Sequence, residues 1–404
     1  MIARTLRLYR NAYTGLAPSV WLLSGVMLIN RCGTMVLPYL TLYLTQHLHF
    51  SVSQAGVVMA VYGTGAFVGT FLGGKLTDRF GFYYVQLISL FAGGVFLLGL
   101  QYVSNFYAIC ASAFIFTLLG DTFRPANSAA IAHYSHADNR TRAYSLNRLA
   151  INLGWSVGGG LGGYLASIDY SLLFWADGFT CIAAAAVLRF FLPPPARVAT
   201  GTKHATATTE VSPAQSPYKD RYFLGFTGCT LLYAISFLLL FSLIPLYFKE
   251  KLLLDESQIG MLLALNGILI VIIEMALVYT IEQKFAHHKT LIICTGVLLT
   301  GFSYLVLLIT PLAGIALVFT IITTFGEMLT HPFLQSFAVS RSTPQTRGQY
   351  LALHSMAFAL AQVTSPALGS LIVTTAGFGL LWTVMMGLCL VSATGYWWLS
   401  RRFA

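Results

Sequence analysis

Long apolar runs fill almost the whole chain, and they limit what it can fold into more than any other feature. Only 9% of the residues are charged, 57% are hydrophobic, and the mean hydropathy is +0.74. A soluble protein with such runs would have no polar surface to present to water. A helix needs about 20 mostly apolar residues to cross a bilayer, and twelve stretches qualify: roughly 17–46, 52–76, 82–102, 106–134, 139–167, 170–192, 221–249, 256–282, 288–309, 313–340, 346–375 and 378–400.

The positive charges give an independent test of this topology, because short cytoplasmic loops hold an excess of Lys and Arg. Of the 23 basic residues, eighteen lie in the N-terminal segment, in every second loop or in the C-terminal tail. The opposite loops hold only Lys249 and Lys251, and Arg31, Arg124 and Arg148 lie within spans. The pattern predicts an even number of spans in the inner (plasma) membrane of a bacterium, with both termini in the cytoplasm. The net charge of +10 therefore belongs to cytoplasmic loops and does not indicate nucleic-acid binding.

One segment interrupts the apolar pattern. Three prolines at 193–195 open a stretch rich in Thr, Ala and Ser, which is typical of a flexible linker. The sequence therefore predicts an all-α membrane protein with an N-terminal six-helix half (1–192), a cytoplasmic linker (193–220) and a C-terminal six-helix half (221–404). In such two-half proteins the substrate site lies near the midplane of the membrane, between the halves.

The loop after the second span carries a distinctive motif. It reads Gly-Gly-Lys-Leu-Thr-Asp-Arg-Phe-Gly over residues 73–81, in which Gly74, Asp78, Arg79 and Gly81 stand out. Small glycines allow close helix packing, and a tight turn needs a residue such as Gly81. The segment resembles the loop signature of the major facilitator superfamily, although aromatic residues follow Gly81 where the signature has basic ones. The resemblance implies transport by alternating movement of two pseudo-symmetric halves, with these four residues in gating.

A second motif, in the fifth span, runs from residue 154 to residue 163 and contains Gly158, Gly159 and Gly163. Small residues at this spacing permit close contact between helices. The run also resembles the antiporter signature of the superfamily's drug and metabolite exporters, with Gly159 at the position of its proline. Pro366 belongs to a looser echo in span eleven, as expected for repeated halves. We expect these four residues to take part in the conformational change.

Charges within the spans indicate a polar pathway, because burying one at bilayer depth costs about 2.5–3.5 kcal/mol on insertion scales. Asp121 and Arg124 are three residues apart, so they lie on one helix face and can neutralise one another. They are either pathway residues or a structural ion pair. Arg31 should face the central cavity, where its planar guanidinium suits a carboxylate.

The first, fourth and fifth spans also resemble proton-dependent oligopeptide transporters. In this chain Met27 and Asn30 stand where that family's span-one glutamates would be, and only Arg31 matches. The missing carboxylates argue against peptide import. We expect polar and aromatic side chains of these spans to contact substrate: Arg31, Asn30, Tyr39, Tyr62, Arg124, Asn127, Asn152 and Trp155.

Two further carboxyl groups are candidates for proton coupling. Glu274 and Glu327 have no basic residue within one turn of their own helices. An isolated carboxyl in an apolar environment can load and release protons near neutral pH. His331 lies one turn after Glu327 and precedes a proline that could hold a polar cavity open. We expect Glu327, Glu274, Asp121 and His331 to carry protons; alternatively, each glutamate only hydrogen-bonds across the bundle.

The function these features favour is proton-coupled secondary transport, more specifically export of small amphipathic organic molecules. No ATP-binding loop is present, so the proton gradient is the expected energy source, and we expect no cofactor, no metal, no nucleic-acid partner and no enzymatic activity. We expect a monomer that interacts with protons, its small-molecule substrate and the bilayer. One alternative is a symporter that imports peptides or metabolites, and another is a transporter-like receptor without net flux.

Overall fold

The computed structural model describes residues 15–135, 140–194, 217–285, 289–309, 313–342 and 346–403, and in these residues all regular structure is helical. The helices of the N-terminal half are α1 (Pro18–Cys32, continued by Val36–Leu42 and a π-helical turn, Tyr43–His47), α2 (Val52–Phe80), α3 (Phe82–Leu100), α4 (Phe106–Asp121, continued by Phe123–Tyr134), α5 (Arg140–Ile168) and α6 (Ser171–Phe191). Those of the C-terminal half are α7 (Arg221–Leu238, continued through the 3-10 turn Leu239–Phe241 by Leu243–Glu250), α8 (Glu256–Phe285), α9 (Lys289–Val306) and α10 (Ala313–Arg341). The last two helices, α11 and α12, together form Arg347–Phe403.

Ten helices in the described part of the chain are long and apolar enough to cross a membrane. One of these ten, Gln349–Arg401, contains both α11 and α12, which meet at Gly377 with φ of 78°. A residue with a side chain is strained at that angle, so glycine suits the break. Helix α5 is not among the ten because its glycines and polar side chains lower its mean hydropathy. The predicted all-α fold is confirmed, and the predicted twelve spans are consistent with these helices.

The two halves repeat one packing scheme. In the N-terminal half α1 packs on α5 and α2 packs on α4, while in the C-terminal half α7 packs on the α11–α12 pair and α8 packs on α10. Between the halves, the main contacts join α5 to α8 and α2 to α11. The pseudo-symmetry predicted from the sequence is therefore present. Most of the predicted linker, residues 195–216, lies outside the described residues.

The halves touch most closely at one end of the bundle, which we call the distal end because it lies away from the chain termini. Here the backbones of α5 and α8 are in contact: a Cβ added to Gly163 would lie 2.4 Å from the carbonyl oxygen of Glu256 and 2.6 Å from Gly260 Cα. Nearer the middle of α2, a Cβ on Gly63 would lie 2.6 Å from the carbonyl oxygen of Gln362 on α11. Glycine is required at both positions, since any side chain would force the halves apart.

Candidate functional site

A break in α1 positions the polar side chains of the N-terminal half. The Asp177 carboxylate of α6 accepts hydrogen bonds from the Met35 amide, at 2.9 and 3.1 Å, and from the Val36 amide, at 2.8 Å. A Cβ on Gly33 would lie 1.6 Å from Thr180 Oγ1, so only glycine fits where the two helices cross. Because amides freed by the break cannot bind water in the bilayer, Asp177 satisfies them and fixes the direction of the chain just after Arg31.

A cavity of about 70 Å³ lies beside this break, inside the N-terminal half, and we call it the N-half cavity. All six helices of the N-terminal half contribute to its lining. Six of the side chains predicted from the sequence meet there: Asn30, Arg31, Tyr62, Asp121, Arg124 and Trp155. These six side chains from four helices thus converge on one space, although they are up to 125 residues apart in the sequence.

The charges in the N-half cavity are unequally paired. Arg124 Nε lies 2.6 Å from Asp121 Oδ1, as the spacing of three residues predicts. Arg31 Nε is buried and has no hydrogen-bond partner in the described part of the chain. The Arg124 side chain is 50% exposed despite its mid-helix position, whereas that of Asp121 is 11% exposed. Arg31 is therefore the cation with unused donor capacity.

Three other predicted substrate contacts lie outside the lining of this cavity. The Tyr39 hydroxyl donates to the Gly159 carbonyl oxygen at 2.8 Å and is fully buried at the contact between α1 and α5. Asn127 Nδ2 donates to Asn147 Oδ1 at 3.2 Å, which joins α4 to α5. Asn152 is half-buried on α5. In this arrangement Tyr39 and Asn127 hold helices together, and substrate contact by these three residues stays a prediction.

An ion pair joins the two halves at mid-depth. Arg148 Nη2 of α5 donates to Glu274 Oε1 of α8, and the Arg148 side chain is 42% exposed whereas that of Glu274 is 12% exposed. Glu274 is therefore not the isolated carboxyl that the sequence indicated. Its partner lies 126 residues away in the other half, and for that reason a search of its own helix did not reveal it.

Glu327 has a different environment. Its Oε2 atom accepts a hydrogen bond from Asn266 Nδ2 at 3.2 Å, and the same Nδ2 donates to Thr324 Oγ1 at 2.9 Å. The charges of Glu274 and Arg148 act on Glu327 from nearby, but neither forms an ion pair with it in the described residues. Glu327 is thus a carboxyl held by a neutral amide, close to a charged pair that spans the halves.

His331 lies one turn from Glu327 and is surrounded by aromatic rings. Its ring centroid lies 4.6 Å from that of Phe237, 5.3 Å from Phe358 and 5.8 Å from Tyr233. His331 Nε2 is buried without a hydrogen-bond partner in the described part of the chain. No group of three or more histidine, cysteine or acidic side chains is placed to share a metal ion among the described residues.

Each of the two repeated six-helix units holds a polar centre, around Arg31 in one and Glu327 in the other, and comparison with known proteins agrees with this arrangement. The sequence model of the Major Facilitator Superfamily matches residues 22–353 and 226–403. The chain belongs to this superfamily of membrane transporters. It is thus an integral membrane protein with the major facilitator fold, as the loop motif indicated.

Relatives within the superfamily differ in what their names describe. A Na⁺, Li⁺, K⁺/H⁺ antiporter of Planococcus maritimus is 27% identical, over 94% of this chain and 95% of the relative. Multidrug resistance protein 2 of Bacillus subtilis is 22% identical, over 87% of each chain. Among solved structures, a POT family transporter in complex with 5-aminolevulinic acid superposes with a TM-score of 0.78 at 14% identity, covering 96% of this chain and 98% of that one.

The residues of the superfamily's loop motif differ in how tightly this structure constrains them. Gly81 has φ of 83° and forms the turn between α2 and α3. Gly73 packs on α4, where a Cβ would lie 2.7 Å from Thr122 Cα, but a Cβ on Gly74 would meet nothing within 4 Å. Asp78 and Arg79 are exposed, and neither forms an ion pair within the described ranges. Of the four predicted gating residues of this loop, only Gly81 has a geometric requirement that is visible here.

The glycines of the antiporter-like motif lie at helix contacts. A Cβ on Gly158 would lie 3.0 Å from the Cys32 carbonyl oxygen of α1, and one on Gly159 would lie 2.9 Å from Leu263 Cβ of α8. The Pro366 carbonyl oxygen lies 3.1 Å from the Cβ position of Gly56 on α2. Together with Gly163, these residues form contacts within the N-terminal half and across both seams between the halves. Their predicted part in the conformational change remains a prediction.

Proposed function

We propose that the protein is a proton-coupled secondary transporter that exports small amphipathic organic molecules, with the proton gradient as its energy source and no cofactor. The halves rock about a site near the midplane and expose it to each side in turn. We further propose that it works as a monomer in the inner membrane. We also propose that both termini lie in the cytoplasm, an orientation that the distribution of Lys and Arg supports.

The observation that carries this proposal is the ion pair between Arg148 and Glu274. It is the charged contact that joins the halves at mid-depth in the described chain, so its formation depends on how the halves are oriented. A proton on Glu274 would remove one charge and weaken the contact. Protonation and the relative movement of the halves are therefore linked through one pair of side chains.

Glu327 supplies a second proton site in this proposal. When charged, it competes with Glu274 for the positive charge of Arg148, since the guanidinium of Arg148 attracts both carboxylates electrostatically. When protonated, it keeps its hydrogen bond to Asn266, which can serve either form. We infer that protons pass between the two glutamates and the space that reaches Arg148, with substrate held on the side of the N-half cavity.

Two alternatives have specific support. Proton-coupled import of peptides or metabolites is favoured by Arg31, whose free Nε could bind a carboxylate. Exchange of alkali cations for protons is favoured by the oxygen atoms of Glu327 and Thr324, which lie within 3.2 and 2.9 Å of the same Asn266 Nδ2, and by the named activity of the Planococcus relative. Both alternatives use the same proton site, so the transport assay must include their substrates.

Purified protein in liposomes with an imposed pH gradient tests the proposal. The panel comprises the amphipathic dye ethidium, a dipeptide and Na⁺ or K⁺. Antiport predicts that vesicles with an acidic interior accumulate the substrate, whereas symport predicts accumulation in vesicles with an alkaline interior. Ethidium accumulation under the acidic-interior gradient would support export; accumulation of only the dipeptide or only the cation would replace the proposal by the corresponding alternative.

Glu327→Gln then tests the coupling site. Because glutamine keeps the volume and the hydrogen-bonding reach but cannot lose a proton, the variant should still exchange substrate for substrate. Accumulation against a concentration gradient should vanish. Glu327→Asp, which retains a carboxyl group, should keep partial coupling with a changed pH profile. If the glutamine variant still concentrates substrate, the coupling carboxyl lies elsewhere, with Glu274 and Asp121 as the next candidates.

A further inference from the structure

A row of aromatic rings crosses from the N-terminal half to the C-terminal half. Trp155 of α5 lines the N-half cavity, and its ring centroid lies 5.1 Å from that of Phe241, in the turn that continues α7. The Phe237 ring, one turn earlier on α7, lies 6.0 Å from that of Phe241 and 4.6 Å from that of His331 on α10. Aromatic rings at these distances are in contact. The row therefore joins the N-half cavity to the polar centre around Glu327.

The row continues onto α11. The Phe358 ring lies 5.3 Å from that of His331 and 5.4 Å from that of His354, so two imidazoles contact one phenyl ring. On α7, the Tyr233 ring lies 5.8 Å from that of His331. We call these connected side chains the aromatic band; its members are Trp155, Tyr233, Phe237, Phe241, His331, His354 and Phe358.

The aromatic band is not a closed core. Trp155 and Phe241 are half-buried, and so are His331 and Phe358, although packing in a core would bury rings of this size completely. Trp155 belongs to the N-terminal half and Phe241 to the C-terminal half, so their contact lies at the boundary between the halves. A planar ligand at this boundary would find aromatic faces from both halves.

Two imidazole nitrogens of the aromatic band have unused hydrogen-bonding capacity. His331 Nε2 and His354 Nδ1 are buried, and neither has a hydrogen-bond partner in the described part of the chain. A buried polar atom without a partner is costly, and the neighbouring phenyl rings offer neither a strong donor nor a strong acceptor. A hydroxyl group both donates and accepts, so it can pair with such a nitrogen in either tautomer of the imidazole. An ammonium group only donates and a carboxylate only accepts.

We propose that the aromatic band binds a planar aromatic substrate that carries a ring hydroxyl, that is, a phenol, and that the hydroxyl pairs with His331 Nε2. This inference rests on the proposed export of amphipathic molecules and names their class. The ring of the substrate packs on the aromatic faces, and its neutral hydroxyl brings no charge into apolar surroundings. Because the band has members from both halves, binding is linked to their relative orientation.

Equilibrium dialysis of the full-length protein in detergent tests the site without depending on transport. The probes are the phenol umbelliferone and its parent coumarin, which lacks only the hydroxyl, at a pH where the phenol keeps its proton and with protein-free micelles as the blank. We expect umbelliferone to bind about tenfold more tightly than coumarin. His331→Phe keeps an aromatic ring but removes the nitrogen, so it should abolish this preference. His133→Phe is the matched control, since His133 of α4 also packs on a ring, that of Phe82 at 5.1 Å, outside the band; it should leave the preference unchanged.

Two further variants separate loss of the nitrogen from misfolding. His331→Gln retains a donor and an acceptor and should keep part of the preference for umbelliferone. Phe358→Leu removes an aromatic face but no nitrogen, so both probes should bind more weakly by a similar factor. The inference is overturned if the wild-type protein shows no preference, or if His331→Phe keeps the wild-type ratio of affinities. Loss of the preference in Phe358→Leu would also overturn it, because the hydroxyl would then be recognised by the shape of the site and not by the imidazole.

Transport separates failure of this site from failure of the proposed function. In liposomes with an acidic interior, umbelliferone should inhibit ethidium accumulation by the wild-type protein, and coumarin should require a concentration about tenfold higher for the same inhibition. If umbelliferone binds through His331 but the wild-type protein accumulates neither ethidium nor umbelliferone, the proposed function fails and the binding site remains. If ethidium is accumulated but umbelliferone binds no better than coumarin, the proposed function stands and the inferred substrate class is wrong.

Discussion

Arg31 is a half-buried cation with a buried Nε, and its neighbourhood already contains a complete ion pair. Arg124 takes Asp121 as its partner at 2.6 Å, and Arg31 Nε is left without an acceptor in the described part of the chain. A buried donor without a partner costs about 1–3 kcal/mol. The arrangement is consistent with a group that is completed by an acceptor from the substrate or by a change of conformation.

Arg31→Lys tests this interpretation. Lysine keeps the positive charge but loses the planar fork that binds a carboxylate through two parallel hydrogen bonds. We expect transport to fall by at least about tenfold, whereas the thermal unfolding temperature in detergent should stay close to that of the wild type. Transport at the wild-type rate in the lysine variant would show that the geometry of the guanidinium is not needed.

The sequence predicted local pairings between residues much better than distant ones. The Asp121–Arg124 pair follows from a spacing of three residues on one helix. The partners of Glu274 and Met35, in contrast, lie 126 and 142 residues away, and a periodic pattern carries no information about which helices become neighbours. The role of Asp177 could have been suspected from the sequence, because it is the single acidic residue in an apolar span and the same half contains Gly33, where α1 breaks. Arg148 and Asn266 were visible as polar residues in spans, but nothing assigned them partners.

At the scale of helices, α1 depends on a side chain from α6. The Asp177 carboxylate accepts three hydrogen-bond contacts from two backbone amides where α1 breaks. Asp177→Ala would leave those amides unpaired inside the membrane. At about 1–3 kcal/mol for each unsatisfied donor, we expect a loss of at least about 2 kcal/mol. Thermal unfolding in detergent measures it, and Asp177→Asn, which retains one acceptor oxygen, should lie between wild type and alanine. Equal stability of all three proteins would contradict this account.

A second contact between helices links α7, α10 and α11 near the chain termini. Asp220 accepts from Arg341 Nε at 2.6 Å, from the Tyr350 hydroxyl at 2.9 Å and from the Tyr222 amide at 3.1 Å. Burial alone would raise the pKa of Asp220, but the hydrogen bonds from Arg341, the Phe223 amide and Tyr350 outweigh it and hold the pKa below its usual value of 3.8. This carboxylate therefore stabilises the folded C-terminal half while it is charged.

The sign of the pH dependence follows from that depressed pKa. The stabilisation is fully present above the unfolded-state pKa and is lost as the pH falls through the folded-state value. Asp220→Asn should lower stability by about 2 kcal/mol at neutral pH, and the difference from wild type should shrink on acidification below pH 3.8. Thermal unfolding as a function of pH measures both. Asp78→Asn, the same change at an exposed carboxylate, should show neither effect; a constant difference for Asp220→Asn would contradict the linkage.

The whole molecule is closed at its distal end by backbone contact and by one polar latch. The Tyr170 hydroxyl, from the N-terminal half, donates to Glu256 Oε1 of the C-terminal half at 2.7 Å. Lys249 Nζ lies 2.8 Å from the same oxygen. The composition and loop charges of the chain predicted two rocking halves, but not this latch, because it depends on the register at which α5 and α8 meet.

Alternating access requires the distal latch to open, so Tyr170→Phe should shift the balance between the two states. The variant removes one hydrogen bond to a charged group, worth about 1.5–3 kcal/mol, while Lys249 still pairs with Glu256. A change of 1.4 kcal/mol is a factor of ten, and we expect the distal-open population to rise by about tenfold.

Spin labels at Gln46→Cys and Leu253→Cys, with the six native cysteines replaced by alanine, report the distance across the distal seam. Tyr164→Phe, the same change at an exposed site, should leave the distance distribution unchanged. If Tyr170→Phe leaves it unchanged as well, backbone contact at Gly163 and Gly260 holds the halves together without the latch.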